Sequence, residues 1–282
     1  EQTAWFDGAA RRVRAISMNG VFELDDDGTT GSWRRIAGPL PPGAGLATLD
    51  ANGSRVFRHD NVRTFLWQIG APAWTQLTTN DSEGDGNPAG GALFVDDAGV
   101  LRTISGSYLW SRTDASWRRS TALPLAPAFP VFGVATVDPG GGGALVADGS
   151  GAAFQVRGDV VELAAPRLGS GAATLVDRFA TVSTGARRFF LGGRAADATP
   201  AVAVMAWSGT GADPVAGANA QRFTDGAAAV DAPRARAILF GGARPDGTFD
   251  ATTRILDVVT GALVNLPSAA PAATPPARAR AS

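Results

Sequence analysis

Six times along this chain a short apolar run ends in an aspartate that opens a turn. The turns begin at Asp7, Asp50, Asp96, Asp138, Asp177 and Asp231, after AWF, ATL, LFV, ATV, TLV and AAV, at separations of 43, 46, 42, 39 and 54 residues. A second apolar run follows each turn, then a third and a closing one, so each unit reads as four short strands. A period of roughly 40 to 50 residues with several strands per unit is the pattern of a β-propeller. The sequence predicts an all-β, six-bladed β-propeller of four-stranded antiparallel blades, one domain over residues 1–282.

The first unit reads TAWF (3–6), VRAIS (13–17), VFELD (21–25) and WRRI (33–36), and the next three keep nearly the same register. Blades are expected at about 1–37, 38–78, 79–121, 122–164, 165–222 and 223–267, with 268–282 as a closing segment or a linker to a further domain. The fifth unit is stretched. Either ATLV (173–176) or FATVS (179–183) opens it, and the residues around 194–222 are left for a long loop or an extra hairpin. PPARARAS at the end, followed by EQTAWFDG at the start, reads almost as one blade opening, so the termini are expected to meet and close the ring. Closure removes free strand edges, which template aggregation. Trp33, Trp74 and Trp117 open fourth strands in their units and are expected to cover the apolar flank between neighbouring blades, as stacked repeats require.

The sixth unit carries a resemblance. An apolar strand, an Asp turn, a strand ending in Gly241-Gly242 and a D-x-x-T-G strand pair closing near Leu266 resemble a kelch repeat, and FFLGG with Gly192-Gly193 echoes it in unit five. Units one to four have MNG, DNV, SGS and DGS where the double glycine would stand. The resemblance implies four-stranded blades with binding on one face and no single activity. Double glycine suits a strand that ends where backbone is crowded near the axis. Some kelch-type propellers are copper radical oxidases, which use a Cys–Tyr cross-link and several His and Tyr ligands. With no Cys, His59 as the one histidine and Tyr108 as the one tyrosine, that chemistry is excluded.

Composition excludes more. All 25 basic residues are arginine, and the formal net charge is −1, so no global field favours nucleic acid or an anionic membrane. Without cysteine there is no disulfide, thiolate nucleophile or Cys-ligated zinc. No apolar run approaches the roughly 18 to 20 residues that span a bilayer, and no leader-like segment precedes Trp5. Abundant Ala, Gly and Arg without Lys point to a GC-rich bacterial source, and a secreted, periplasmic or cell-surface location is expected.

The candidate chemistry is thin. NDSEGDGN (80–87) copies the first half of a calcium loop, with Asp81, Glu83, Asp85 and Asn87 as oxygen ligands and Gly86 at the turn, but Ala92 stands where the twelfth-position Glu belongs. Calcium is the one cofactor considered; a solvated acidic loop is the alternative. DDDGTTGSW (25–33) looks like an Asp box with one residue too many and is read as turn chemistry. Tyr108, placed mid-strand, is read as core rather than nucleophile. His59 beside Asp60 could form a base and its orienter, or be an exposed loop histidine. The arginine pairs at 34–35 and 118–119 would shield a blade edge.

The expected function is a non-enzymatic extracellular or surface scaffold that recognises a protein or glycan partner through loops on one face. Asn19, His59, Asp60, Asn61, Arg63, Arg194, Arg244 and Asp246, all between second and third strands, form the candidate ligand surface. The alternative is a hydrolase or lyase with an Asp- and Arg-based site at the axial mouth. Such an enzyme needs paired carboxylates in perturbed environments, a binding module does not.

Overall fold

The computed structural model describes residues 3–7, 10–17, 19–38, 40–41, 45–50, 53–77, 85–89, 91–113, 115–124, 134–137, 143–147, 151–169, 175–184, 187–195, 204–215 and 223–268. The chain is all-β, and its described helical content is a 3₁₀ turn at Ala232–Arg234. Six four-stranded antiparallel sheets each take four consecutive strands in chain order, the architecture of a six-bladed β-propeller.

Blade one is β1 (Thr3–Asp7), β2 (Arg12–Ser17), β3 (Gly20–Asp26) and β4 (Gly31–Ala37). Blade two is β5 (Leu46–Leu49), β6 (Arg55–His59), β7 (Thr64–Gln68) and β8 (Thr75–Leu77). Blade three is β9 (Ala92–Val95), β10 (Leu101–Ser105), β11 (Tyr108–Thr113) and β12 (Ser116–Ala122). Blade four is β13 (Val134–Val137), β14 (Ala144–Ala147), β15 (Ala153–Arg157) and β16 (Val160–Ala165). Blade five is β17 (Leu175–Thr184), β18 (Arg187–Ala195), β19 (Val204–Trp207) and β20 (Ala212–Pro214). Blade six is β21 (Ala227–Asp231), β22 (Arg236–Phe240), β23 (Thr253–Asp257) and β24 (Leu263–Asn265).

Blade five corrects the sequence reading. Leu175 and Val176 share one long strand with FATVS, and FFLGG lies in the second strand, so Asp177 lies inside β17 and opens no turn, and the turn comes after Thr184. Of the two readings of residues 194–222, a long loop or an extra hairpin, the hairpin fits: they contain the paired strands β19 and β20, which complete the blade. The described residues fall into two compact units, Glu1–Pro42 with Arg178–Trp207 and Asp213–Ser282, and Gly43–Asp177 with Ser208–Ala212.

Successive side chains on a strand point to opposite faces, and here both faces are covered by neighbouring blades. In the first unit Ile238 and Phe240 join Val13, Ala15, Phe22 and Trp33 of blade one. The intervening Ala237 and Leu239 join Val182, Phe189, Leu191 and Val204 of blade five. In the second unit Leu93 and Val95 pack with Phe57 and Leu66 of blade two, while Ala92 and Phe94 pack with Val146 and Phe154 of blade four. That is why AILF (237–240) and ALFV (92–95) are continuously apolar rather than alternating. Each large side chain so buried contributes about 1.5–3 kcal/mol.

Two of the fourth-strand tryptophans do cover flanks between blades. Trp33 packs its ring 5.0 Å from that of Phe240 in blade six, and its Nε1 donates to Thr253 Oγ1 at 2.9 Å. Trp117 of blade three sits 5.1 Å from the His59 ring of blade two and donates to Thr64 Oγ1 at 3.2 Å. The registers correspond: Phe240 pairs with Thr253 and His59 with Thr64, in each case the last residue of a second strand beside the first of a third. Trp74 instead stacks on Trp67 within blade two, centroids 6.0 Å apart.

The aspartate turns are ionic joints. Asp7 holds Arg14, Asp50 holds Arg55, Asp96 holds Arg102 and Asp231 holds Arg236, each Arg on the following strand. Asp7, Asp50 and Asp96 also accept turn amides, as when Asp96 Oδ1 takes Ala98 N at 3.0 Å and Val100 N at 2.8 Å. Two of the arginines then reach the next blade. Arg236 binds Asp26 of blade one at 2.6 Å, and Arg102 binds Asp159 of blade four at 2.7 Å. Arg187 of blade five makes the same reach to two carbonyls of blade six, Val258 O at 2.9 Å and Val259 O at 2.7 Å.

Each of these links joins the start of a second strand to the end of a neighbour's third. Neighbouring blades in a unit therefore share one end for their first and third turns, and the other for the connections between second and third strands. Blade six packs directly on blade one, and Gly31 N donates to Pro267 O at 2.9 Å with a parallel bridge to Ser268. The chain after β24 thus meets the fourth strand of blade one. The expected meeting of the terminal segments themselves lies outside the described residues.

Candidate functional site

In blade one the second-to-third-strand connection is a tight turn, whereas in blade six residues 241–252 separate β22 from β23. This long connection is internally built. Gly241 and Gly242 take φ of 69° and 109°, in the left-handed region that suits glycine, and turn the chain out of β22. Ala243 then pairs with Thr224 on one side and Phe249 on the other. Arg244 N donates to Thr248 O at 2.9 Å and Gly247 N to Arg244 O at 2.9 Å, closing the tip.

The double glycines owe their place to one crossing segment. A Cβ on Gly242 would sit 2.4 Å from Thr224 O, and one on Gly192 would sit 2.5 Å from Phe223 O. Gly193 N donates to Phe223 O at 2.8 Å. Residues 223–225, the lead into blade six, are thus stitched between the glycine pairs of blades five and six. The cause is close approach of this segment.

Beneath the loop lies a buried ion pair. Asp250 accepts from Arg254 and from Thr252 N, its own N donates to Gly242 O at 2.9 Å, and Arg244 approaches its Oδ1 at 3.5 Å. Burial acts to raise the Asp250 carboxyl, but the bonds from Thr252 and Arg254 outweigh it and bring the pKa to about 2. Arg254 in turn lies over the Phe223 ring, 4.8 Å from its centroid. Above this base Phe249 is 56% exposed, although a ring of that size is ordinarily covered. Asp246 at the tip is exposed and held ionised by the Thr248 hydroxyl and amide.

Of the residues expected at a ligand surface, Arg194, Arg244 and Asp246 fall at this end of blades five and six, and Asn19 is an exposed turn residue at the same end of blade one. The other four are in blade two of the second unit. Asp60 closes its turn by accepting Arg63 N at 2.6 Å, Val62 N at 3.1 Å and the Arg63 guanidinium at 2.8 Å. Burial acts to raise Asp60, and these bonds more than reverse it. Asn61 takes φ 72° at the turn, and the Arg63 guanidinium lies 5.4 Å from the Phe65 centroid.

His59 is not an exposed loop residue. It ends β6 at 1% exposure, with Nε2 3.0 Å from Pro88 O and Nδ1 3.2 Å from Thr64 Oγ1. Tyr108 reverses in the other direction: it opens β11 and is 38% exposed, with the Arg119 guanidinium 5.2 Å from its ring.

Of the calcium-loop candidates, Asp81 and Glu83 lie outside the described residues. Asp85 accepts Arg119 N at 2.8 Å and donates its own N to Trp117 O at 3.1 Å, so it caps the free edge of β12. Asn87 is half-buried, and Ala92 is buried in β9. Among the described residues no three His, Asp or Glu side chains gather as a metal site would need. The Asp-box-like segment is turn chemistry: Asp27 accepts both Thr29 N and Thr30 N, which hold its carboxyl far below the usual range.

A general acid needs a carboxyl raised by its surroundings. Every described carboxyl with a displaced titration is displaced downward: Asp27, Asp50, Asp60, Asp246, Asp250 and Asp257. The buried carboxylates hold turns and loops. The features that sequence reasoning missed are Phe249 and the Asp250–Arg254 base. The unusually long interval after Gly241-Gly242 was the available signal.

No protein-family model matches the chain, and neither does any curated protein sequence. Solved structures do, 359 chains in all. One of them, titled "Structure of YjhT", aligns with a TM-score of 0.63 at 11% sequence identity, covering 94% of this chain and 96% of that one. At that identity the likeness carries the fold alone.

Proposed function

We propose that the chain is a kelch-type propeller acting as an exported, non-enzymatic binding scaffold, and that it takes a protein or glycan partner at the end of blades five, six and one where second strands connect to third. One observation carries this reading. The 241–252 loop is braced by its own hydrogen bonds and by the Asp250–Arg254 pair, yet it holds Phe249 out to solvent. A rigid loop loses little conformational entropy on binding, and exposed aromatic and arginine side chains are the usual anchors of an interface. Arg244, 55% exposed at its side chain, and the ionised Asp246 supply directional contacts beside the ring.

The test compares wild type with Phe249→Ala and Arg244→Ala on a glycan array and by crosslinking to proteins of the source organism's envelope. Retention by wild type with at least about tenfold loss in Phe249→Ala, at unchanged thermal midpoint, is the expected result; tenfold corresponds to about 1.4 kcal/mol. Equal retention by wild type and both variants would refute this surface.

A further inference from the structure

We infer that His59 makes the seam between blades two and three an acid-sensitive joint, closed while the imidazole is neutral and loosened when it takes a second proton. The hydrogen-bond chain fixes the neutral form. Trp117 Nε1 can only donate, so Thr64 Oγ1 is its acceptor at 3.2 Å. The hydroxyl hydrogen of Thr64 is then free to point at His59 Nδ1, 3.2 Å away, which accepts. Pro88 O can only accept, so the ring proton sits on Nε2 at 3.0 Å. Each partner satisfies the next.

A second proton on Nδ1 would meet the Thr64 hydroxyl hydrogen and force it to turn inside a residue that is 0% exposed. It would also place a charge on a ring that is 1% exposed and lies 5.1 Å from the Trp117 indole. Burying a charge is costlier than burying a neutral hydrogen-bonded ring, even with the Pro88 carbonyl and the Arg63 backbone beside it. The charged neighbours offer no full compensation. On its own blade Asp60 is already bound by Arg63, from blade three Arg112 faces the ring with like charge, and the Asp85 carboxylate before Pro88 is turned to the amide of Arg119. Burial, with Arg112, thus holds the imidazole below its ordinary range, against the opposing pull of the Pro88 carbonyl, Asp60 and the Arg63 backbone.

Blade six shows that the seam does not need a histidine. Phe240 stands at the corresponding position beside Thr253 and Trp33. His59 replaces that phenyl ring with one that adds two polar contacts and a titration. The second contact matters, because Pro88 belongs to the described segment 85–89 that leads into blade three, and Ser105 Oγ grips the same segment at Ala89 O, 2.7 Å. Loosening the joint therefore frees this lead-in from blade two.

The sign follows from linkage. Well above pH 6.5 the imidazole is neutral in folded and unfolded chains and adds no pH dependence. Below it the unfolded chain binds a proton that the folded chain refuses, so stability falls as pH falls. The folding equilibrium shifts by up to about tenfold per pH unit until the folded ring itself titrates.

Because the chain has a single histidine, its imidazole gives one proton-NMR titration curve. The midpoint is expected below 6.5, and hydrogen exchange corrected for intrinsic rates should rise at pH 5 in residues 85–89 and 116–118 but not around Trp33. His59→Phe, which copies the blade-six arrangement, should flatten the fall in thermal midpoint between pH 7.5 and 5. A midpoint at or above 6.5, or equal pH slopes for wild type and His59→Phe, overturns the inference. The NMR titration stands on wild type alone if the variant does not fold.

Discussion

The seam between blades six and one and the seam between blades two and three are built to one plan with one exchanged part. In both, a fourth-strand tryptophan lays its ring on the last residue of a neighbour's second strand and donates to the first threonine of that neighbour's third. In one the platform is Phe240, in the other His59. The ionic links diverge as well. Arg236 lies between two carboxylates whose side chains are 2% and 6% exposed, while Arg102 lies between Asp96 at 7% and Asp159 at 70%. Shared geometry sets where blades meet. The exchanged residues set how each junction answers to acid and to loss of a charge.

The largest effect should come from the shared part. Trp33→Ala and Trp117→Ala are each expected to cost about 3–5 kcal/mol in urea unfolding, the range for removing a buried large aromatic. If Trp117→Ala costs under about 1 kcal/mol, the two seams are not equivalent. Next come the arginines. Arg236→Ala leaves two buried carboxylates with only the half-exposed Arg234 guanidinium beside them, at 3.3 and 3.2 Å, and should cost about 3 kcal/mol. Arg102→Ala should cost measurably less, because the Asp159 side chain returns to water. Equal losses would erase the distinction.

Smaller is Gly242→Ala, which meets both a left-handed φ of 109° and the Thr224 carbonyl. About 1–3 kcal/mol is expected from backbone strain, with blades five and six loosened before blade one by hydrogen exchange. Smallest is a pH effect confined to the loop base. Asp250 is lowered in the fold to about 2, so the stability it contributes is present above the unfolded value of 3.8 and is lost as pH falls through about 2. Asp250→Asn should remove that part of the acid unfolding curve, while leaving the His59 titration in place.

Most strands could be read from the sequence because period and turn agreed there. TAWF, VRAIS, VFELD and WRRI map onto β1 to β4. Blade five failed at Asp177, where an aspartate after an apolar triplet reads as a turn but lies within β17. Its following arginine, Arg187, finds carbonyls of blade six, so no turn aspartate is needed to hold it. His59 could not be read as core because its burial depends on Pro88 and Trp117, which a local window does not see. Phe249 left no trace for the opposite reason. A lone aromatic among Gly, Asp and Thr has no periodicity, and its exposure depends on the mini-sheet that Thr224 forms from another blade junction.

The Trp33–Thr253 bond joins residues 220 positions apart. At a synthesis rate of about 5–20 residues per second, blade one leaves the ribosome roughly 10–45 s before its latch partner exists. During that interval the indole of Trp33 and the carboxylate of Asp26 wait for blade six. Blade one is made before blades two to six yet finished only with the last of them, and a nascent chain stalled before Thr253 presents chaperones and proteases with the apolar flank that blade six covers.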